Sequence, residues 1–255
     1  MTVALVRRTS SRLAEGVLTH LERRPVDIEL ARRQWESYVT VLREAGWSVR
    51  EVPSLDSCPD CVFVEDAVVM FRNVAIITRP GDDTRKPEIE AVEPIVRELG
   101  CRIARIEAPG TMDGGDVLKI GDTIYVGRGG RTNQAGIDQF AAIVEPMGAR
   151  VVAVPVTKVL HLKSAVTALP DGTVVGWDPA VDDASVFPKY LSMPEESGAH
   201  VVLIDDKRLL MAADAPRSAQ MFRDLGYEPI CVDISEYIKL EGCVTCLSVR
   251  LREFS

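Results

Sequence analysis

The chain has 255 residues, 46% of them hydrophobic and 27% charged, and carries a net charge of −8 at neutral pH. This is the composition of a folded globular protein, and its negative balance argues against a nucleic-acid or anionic-membrane partner. No apolar run is long enough to cross a membrane and the N-terminus lacks a signal-peptide core, so a cytoplasmic protein with six reduced cysteines is expected.

Residues 3–6 read as a short buried strand. Residues 7–25 are polar and irregular, with a helical turn expected around Leu13 to Leu21, and a segment of this size could cover a site. Residues 27–46 form an amphipathic helix, with Leu30, Trp35, Val39 and Leu42 near one face and Gly46 as a stop. A strand at 48–52, a turn at 58–61 and a further strand at 62–64 running into Glu65-Asp66 follow. The apolar runs 68–71 and 74–78 flank Arg72-Asn73 as a hairpin, then come a helix at 84–99 and a strand at 102–106.

The pattern then recurs. Gly114-Gly115-Asp116 leads into 117–118, the turn Gly121-Asp122, a strand at 124–126, a helix at 134–147 and a strand at 150–154. It recurs from His161-Leu162-Lys163 through Pro170-Asp171-Gly172 and a strand at 173–177, with weak helical signal over 178–198. It recurs again from His200, with strands at 201–204, 208–211 and 228–232 and a helix at 216–225. The last unit begins at Gly242, which opens a strand carrying Cys246 and is completed by the N-terminal helix and strand. The landmarks Asp66 and Asp116 lie 50 positions apart. About five such units imply a closed array around an axis, one domain over 1–255, with the first strand of each unit near the centre. Glu65-Asp66, Asp113 to Asp116, His161 and Cys246 then meet at one end of that axis.

A thiol, an imidazole and several carboxylates would share that end. Cysteine attacks as its thiolate and needs positive charge nearby, while His161 can act as acid and base with a carboxylate setting its tautomer. Asp60, Glu65, Asp66 and Asp113 are more carboxylates than one imidazole needs, which points to a cationic substrate. A planar guanidinium matches them well. Arg85 and Arg131 stand at matching places before two helices and could grip a carboxylate at the substrate's other end.

Phe63-Val64-Glu65-Asp66, Gly110-Thr111-Met112-Asp113-Gly114-Gly115-Asp116, Arg131-Thr132-Asn133, His161-Leu162-Lys163 and Thr245-Cys246-Leu247-Ser248 together resemble the motifs of the dimethylarginine dimethylaminohydrolase family, in family order and along nearly the whole chain. The resemblance implies the five-bladed α/β propeller of the guanidino-group-modifying enzymes, the pentein fold. It implies hydrolysis of methylated arginines to citrulline with no cofactor and no metal. Cys246 would be the nucleophile, His161 the general acid and then base, and Asp113 its orienting carboxylate. Asp60, Glu65 and Asp66 would hold the guanidinium end or shape the pocket, Arg85 and Arg131 would bind the α-carboxylate, and Val17 (or its neighbour Leu18) and Leu240 would offer backbone contacts near the α-amino group. The implied partner is a small-molecule substrate rather than nucleic acid or membrane, with a homodimer left open. Cys61, Cys243 and Glu241 depart from the residues expected there.

Two other readings bear on the same residues. Cys58-x-x-Cys61 and Cys243-x-x-Cys246 could hold zinc, but the pairs lie too far apart for a ribbon site, and zinc would consume Cys246. Whether Cys61 or Cys243 pairs with Cys246 on oxidation is open in the sequence. The rival functions are an arginine or agmatine deiminase-like hydrolase, and a non-catalytic arginine-binding or redox-sensing protein. The short length argues against an arginine deiminase with inserted helices, and Arg85 with Arg131 argues against agmatine.

Overall fold

In the computed structural model, residues 2–252 are described. Strand β1 (Val3–Arg7) is buried along its whole length. After a long polar segment comes α1 (Ile28–Glu44), where the Asp27 carboxylate caps the first turn by accepting the Leu30 N–H at 2.9 Å. Its buried stripe runs through Ala31, Gln34, Trp35, Tyr38, Val39 and Leu42, the spacing of one helix face. Strand β2 (Ser48–Val52) returns parallel to β1.

Three further units repeat a hairpin followed by a crossover to a parallel outer strand. The first holds β3 (Val68–Phe71), β4 (Val74–Ile77), α2 (Val92–Glu98) and β5 (Arg102–Arg105). The second holds β6 (Val117–Ile120), β7 (Thr123–Arg128), α3 (Gln134–Val144) and β8 (Arg150–Pro155). The third, β9 (Val166–Ala168), β10 (Val174–Gly176) and β11 (Tyr190–Ser192), crosses over with a short 3-10 turn in place of an α-helix, as its weak helical signal led us to expect. A fourth unit has β12 (Val202–Leu203), β13 (Arg208–Ala212), α4 (Pro216–Asp224) and β14 (Glu228–Val232). Strand β15 (Val249–Leu251) lies antiparallel to β1, Val3 facing Leu251, so the two ends of the chain build the fifth sheet together.

The result is the five-bladed α/β propeller. The first strand of each blade, β3, β6, β9, β12 and β15, faces an axial channel of about 890 Å³. The apolar interior is divided into five clusters, most of them shared by neighbouring blades. Val3 and Leu5 of β1 pack with Val68 and Met70 of β3, and Val69 and Phe71 of β3 pack with Ile124 and Val126 of β7. Among the described residues no helix is long and apolar enough to cross a membrane.

One expected strand is absent and another is shortened to its C-terminal half, and both departures position the site. Residues 62–64 lead into a 3-10 turn at Val64–Ala67, and residues 244–247 form a turn, so Cys246 precedes β15 instead of lying in a strand. Matching 3-10 turns, Gly114–Asp116, Leu162–Ser164 and Glu196–Ala199, stand before β6, β9 and β12. Each blade thus enters its innermost strand through a tight turn, and these turns ring one end of the axis.

Candidate active site

The turn carrying Cys246 is held from several sides. The Cys246 N–H donates to the Cys243 carbonyl at 3.1 Å, and the Cys246 carbonyl accepts the Glu65 N–H at 3.2 Å. Tyr38, from α1, donates its hydroxyl proton to the Val244 carbonyl at 2.9 Å and lies 2.7 Å from the Ser248 hydroxyl. Arg250 donates to the carbonyls of Thr245 at 3.0 Å and Ser248 at 2.7 Å. A seat with its carbonyls pinned this way fixes where the sulfur points. Gly242, just before the turn, leaves room for the Phe63 ring, which a Cβ there would strike at 2.4 Å.

The imidazole of His161 is buried between carboxylates. Its Nε2 lies 2.9 Å from Asp113 Oδ2, and its Nδ1 lies 3.9 Å from Asp66 Oδ1. Asp113 is itself oriented by the Gly81 N–H, which donates to Oδ1 at 2.9 Å. Asp116 accepts from the Thr132 hydroxyl at 2.6 Å and the Leu162 N–H at 2.9 Å, fixing the turn beside His161. The two glycines between Asp113 and Asp116 allow this approach. A Cβ on Gly114 would lie 2.0 Å from the Glu65 carbonyl, and one on Gly115 would lie 2.5 Å from His161 Nδ1. Burial alone would push the imidazole down, but Asp66, Asp113 and Asp116 outweigh it and hold it at about 9. The group is therefore an imidazolium at neutral pH. For Cys246 the direction is upward: the Cys243 hydrogen bond, burial and the negative charges of Glu65 and Asp66 all favour the protonated thiol.

Val17, Asp60, Asp66, Arg85, Arg131, His161, Leu240 and Cys246 all line one small pocket, with Asp113 behind His161. Two of the expected substrate contacts, Arg85 and Glu65, stand differently from expectation. Arg85 gives its donors to Glu88 at 3.0 and 2.9 Å, to Asp66 at 2.8 Å, and to the carbonyls of Asp60 and Phe63 at 3.4 and 3.3 Å. Its guanidinium anchors Asp66, whose carboxyl, which burial would raise, is brought down to about 2 by His161 and Arg85. Arg131 differs: NH2 donates to the Thr19 hydroxyl at 3.3 Å, while the buried NH1 finds no hydrogen-bond partner among the described residues. Glu65 points away from the pocket into the axial channel, paired with Lys163 at 2.6 Å and Arg250 at 2.9 Å.

Asp66, Asp113 and His161 also form the one group of potential metal ligands among the described residues, their ligand atoms within 4.8 Å of one another. Asp113 faces His161 and the Gly81 N–H, and Asp66 faces Arg85 and the Gly115 N–H.

No protein-family model matches the chain. A curated relative from Streptomyces coelicolor, N(G),N(G)-dimethylarginine dimethylaminohydrolase, is 66% identical over 250 residues, covering 98% of this chain and 97% of the relative. The chain belongs to the dimethylarginine dimethylaminohydrolase family. Two solved structures of such enzymes carry the likeness into three dimensions. A cysteine-to-serine variant from Pseudomonas aeruginosa, complexed with citrulline, is 34% identical with a TM-score of 0.89, over 97% of this chain and 98% of that one. A histidine-to-glycine variant, present as an adduct with S-methyl-L-thiocitrulline, is 34% identical with a TM-score of 0.90, over 98% and 100% of the two chains.

In this dimethylarginine dimethylaminohydrolase family member the long segment after β1 lies over the pocket. Val17 N–H donates to Asp60 at 2.9 Å, and Arg23 donates to the carbonyl of Gly16 at 2.6 Å. The free space beneath is only about 10 Å³, room for about one water, so the segment has to open for any substrate to enter. Glu241 fastens it. This residue sits at a positive φ of 60°, and its carboxylate accepts the successive N–H groups of Thr19 at 3.1 Å, His20, and Leu21 at 2.8 Å. Replacing Glu241 with alanine is expected to speed hydrogen exchange at these amides by about tenfold. Unchanged exchange would show that the segment stays shut without it.

Glu241 and Tyr38 are the positioning residues that sequence reasoning missed in this role. Each carries a signal only in hindsight: a glutamate beside Gly242, and a tyrosine on the apolar face of α1 whose hydroxyl needs a buried partner.

Proposed function

We propose that the chain hydrolyses Nω-methylated arginines, asymmetric dimethylarginine and monomethylarginine, to citrulline and dimethylamine or methylamine through a covalent intermediate on Cys246. The observation that carries this reading is the pairing, in one closed pocket, of a buried thiol with an imidazolium held between carboxylates. The Arg131 NH1, buried 3.9 Å from the Asp113 carboxylate but without a hydrogen-bond partner among the described residues, offers a hydrogen-bond donor to an α-carboxylate.

The substrate's guanidinium enters among Asp60, Asp66 and Cys246. Its positive charge offsets Glu65 and Asp66 and favours the thiolate, the Cys246 proton passing to solvent water as the substrate binds, so the nucleophile forms when the substrate is present. The thiolate attacks the guanidinium carbon. His161, already protonated, gives its proton to the departing amine nitrogen, which cannot leave as an anion, and the carbon–nitrogen bond breaks. The neutral imidazole then takes a proton from water as the oxygen adds to the S-alkylthiouronium carbon. Collapse of that adduct breaks the carbon–sulfur bond, the hydroxyl proton passing to the departing Cys246 sulfur as the carbonyl forms, and leaves citrulline. Arg85 acts through Asp66, keeping its charge in place, and Glu65 acts through the turn of Cys246.

Citrulline release from asymmetric dimethylarginine, monomethylarginine and arginine tests the proposal. Release from the methylated substrates supports it. Release from arginine alone keeps the chemistry and makes the protein a deiminase, and none from any of the three sinks the substrate assignment. Arg131→Met is expected to raise KM by about 10- to 100-fold with a smaller change in kcat, because a charge-assisted contact to the carboxylate is lost in ground and transition states alike. Residues 2–252 act in this scheme as one catalytic domain, and the buried free thiols are suited to a reducing compartment such as the cytoplasm.

A further inference from the structure

Cys243 has no part in the reaction above, yet its sulfur lies 3.4 Å from that of Cys246. The two residues are the ends of a four-residue turn closed by the Cys246 N–H bond to the Cys243 carbonyl. Such turns keep their end Cα atoms within about 7 Å, and disulfides need about 4.4–6.8 Å, so a bond forms with a small movement of the side chains. The other Cys-x-x-Cys pair closes a similar turn, the Cys61 N–H donating to the Cys58 carbonyl at 3.1 Å, but there the Cys58 thiol donates to the Thr84 carbonyl at 3.4 Å instead of to the Cys61 sulfur. Spacing and turn alone thus do not set the sulfurs against each other; the side-chain directions of Cys243 and Cys246 do.

We infer that Cys243 is an oxidative modification site, the resolving partner that captures peroxide-oxidised Cys246 as an intramolecular disulfide. Cys246 faces the substrate pocket and is the sulfur a small hydroperoxide meets there. The Cys246 sulfur attacks one peroxide oxygen as it gives up its proton. A sulfur–oxygen bond forms, the oxygen–oxygen bond breaks, and hydroxide leaves and is protonated to water. The sulfur is oxidised by two electrons and the peroxide is reduced. Cys243 then attacks the sulfenic sulfur. The sulfur–sulfur bond forms, the sulfur–oxygen bond breaks, and the hydroxyl leaves as water with the Cys243 proton. Two thiols and one peroxide become one disulfide and two waters. The disulfide removes the thiol at position 246 while shielding it from the irreversible sulfinic and sulfonic states, and a dithiol reductant returns it.

The loss and return of activity in this inference rest on the proposed nucleophilic role of Cys246, whereas formation of the bond does not. The experiment therefore reads both. Fully reduced protein is treated with hydrogen peroxide, alkylated and digested with trypsin, and the peptide running from Leu240 to Arg250 is weighed. The expected peptide has lost two hydrogens and taken up no alkylating agent, and dithiothreitol restores both alkylation and citrulline release. In Cys243→Ser the same peptide is expected to gain oxygens, and dithiothreitol restores nothing. A wild-type peptide that gains oxygens instead of losing hydrogens overturns the inference, as does full recovery of Cys243→Ser. If the serine variant fails to fold, Cys243→Ala replaces it, and the wild-type peptide mass decides by itself. A cross-linked peptide from protein that never releases citrulline upholds the disulfide and overturns the proposed function.

Discussion

Cys246→Ser is expected to lose citrulline release by about 10⁴-fold or more while keeping its fold and its ability to bind citrulline. The size of the effect follows from what the site can and cannot do. It lowers no barrier to deprotonation in the empty state, since burial, Glu65 and Asp66 all favour the protonated group. The cationic substrate opposes them, and a hydroxyl, far less acidic than a thiol, gives no useful fraction of anion under that influence. His161, being protonated, is not available as a base for the first step. The fold should survive because the turn is held through its backbone, by Tyr38 and Arg250, and not through the sulfur. Citrulline release within about tenfold of wild type would remove Cys246 from the mechanism.

Asp113→Asn is expected to lower kcat by about 10²- to 10⁴-fold and to move the alkaline arm of the pH profile to lower pH. The amide keeps an acceptor for the Gly81 N–H and turns an NH₂ group toward His161 Nε2, where the carboxylate accepted. The imidazole is then driven to the wrong tautomer and loses a negative neighbour. In the wild type the imidazolium persists up to about 9, so kcat/KM should fall as pH climbs through that value. With one charge fewer the same fall comes earlier. A parallel change belongs to stability. A histidine whose folded-state value is raised contributes below its ordinary range near 6.5, and that contribution is lost as pH rises through about 9. Rate profiles and thermal melts of the two proteins across that window check both. An unmoved alkaline arm would mean that another group governs it.

Much of this site was legible because it is written at one repeated position. Asp66, Asp113, His161 and Cys246 each stand at the entry to an innermost strand, so a period near 50 residues and a few polar motifs sufficed to gather them. What failed was local direction. Glu65 and Asp66 read as a pair, but consecutive residues in a 3-10 turn point about 120° apart, and one faces the channel while the other faces the pocket. Arg85 read as the twin of Arg131. Its partner three residues on, Glu88, and the carboxylate of Asp66 lie close enough to take its donors, and burial makes those contacts decisive. The alternating apolar residues around Cys246 read as strand, yet a turn packed on all sides also buries Val244 and Leu247. Contacts such as that of Tyr38 with Val244 join residues from opposite ends of the chain and leave no local trace.

The joining of β1 to β15 bears on how the molecule comes into being. Four blades can close on residues near to hand in the chain, but the fifth waits for its innermost strand, which follows the other four blades in the chain. Until then β1 has one free edge and the ring has a gap. The same late stretch delivers the nucleophile, so a shortened chain that ends before it can have much of its architecture and no reactive centre. Assembly and competence are thereby made a single event, and no half-built ring is able to act on a guanidine.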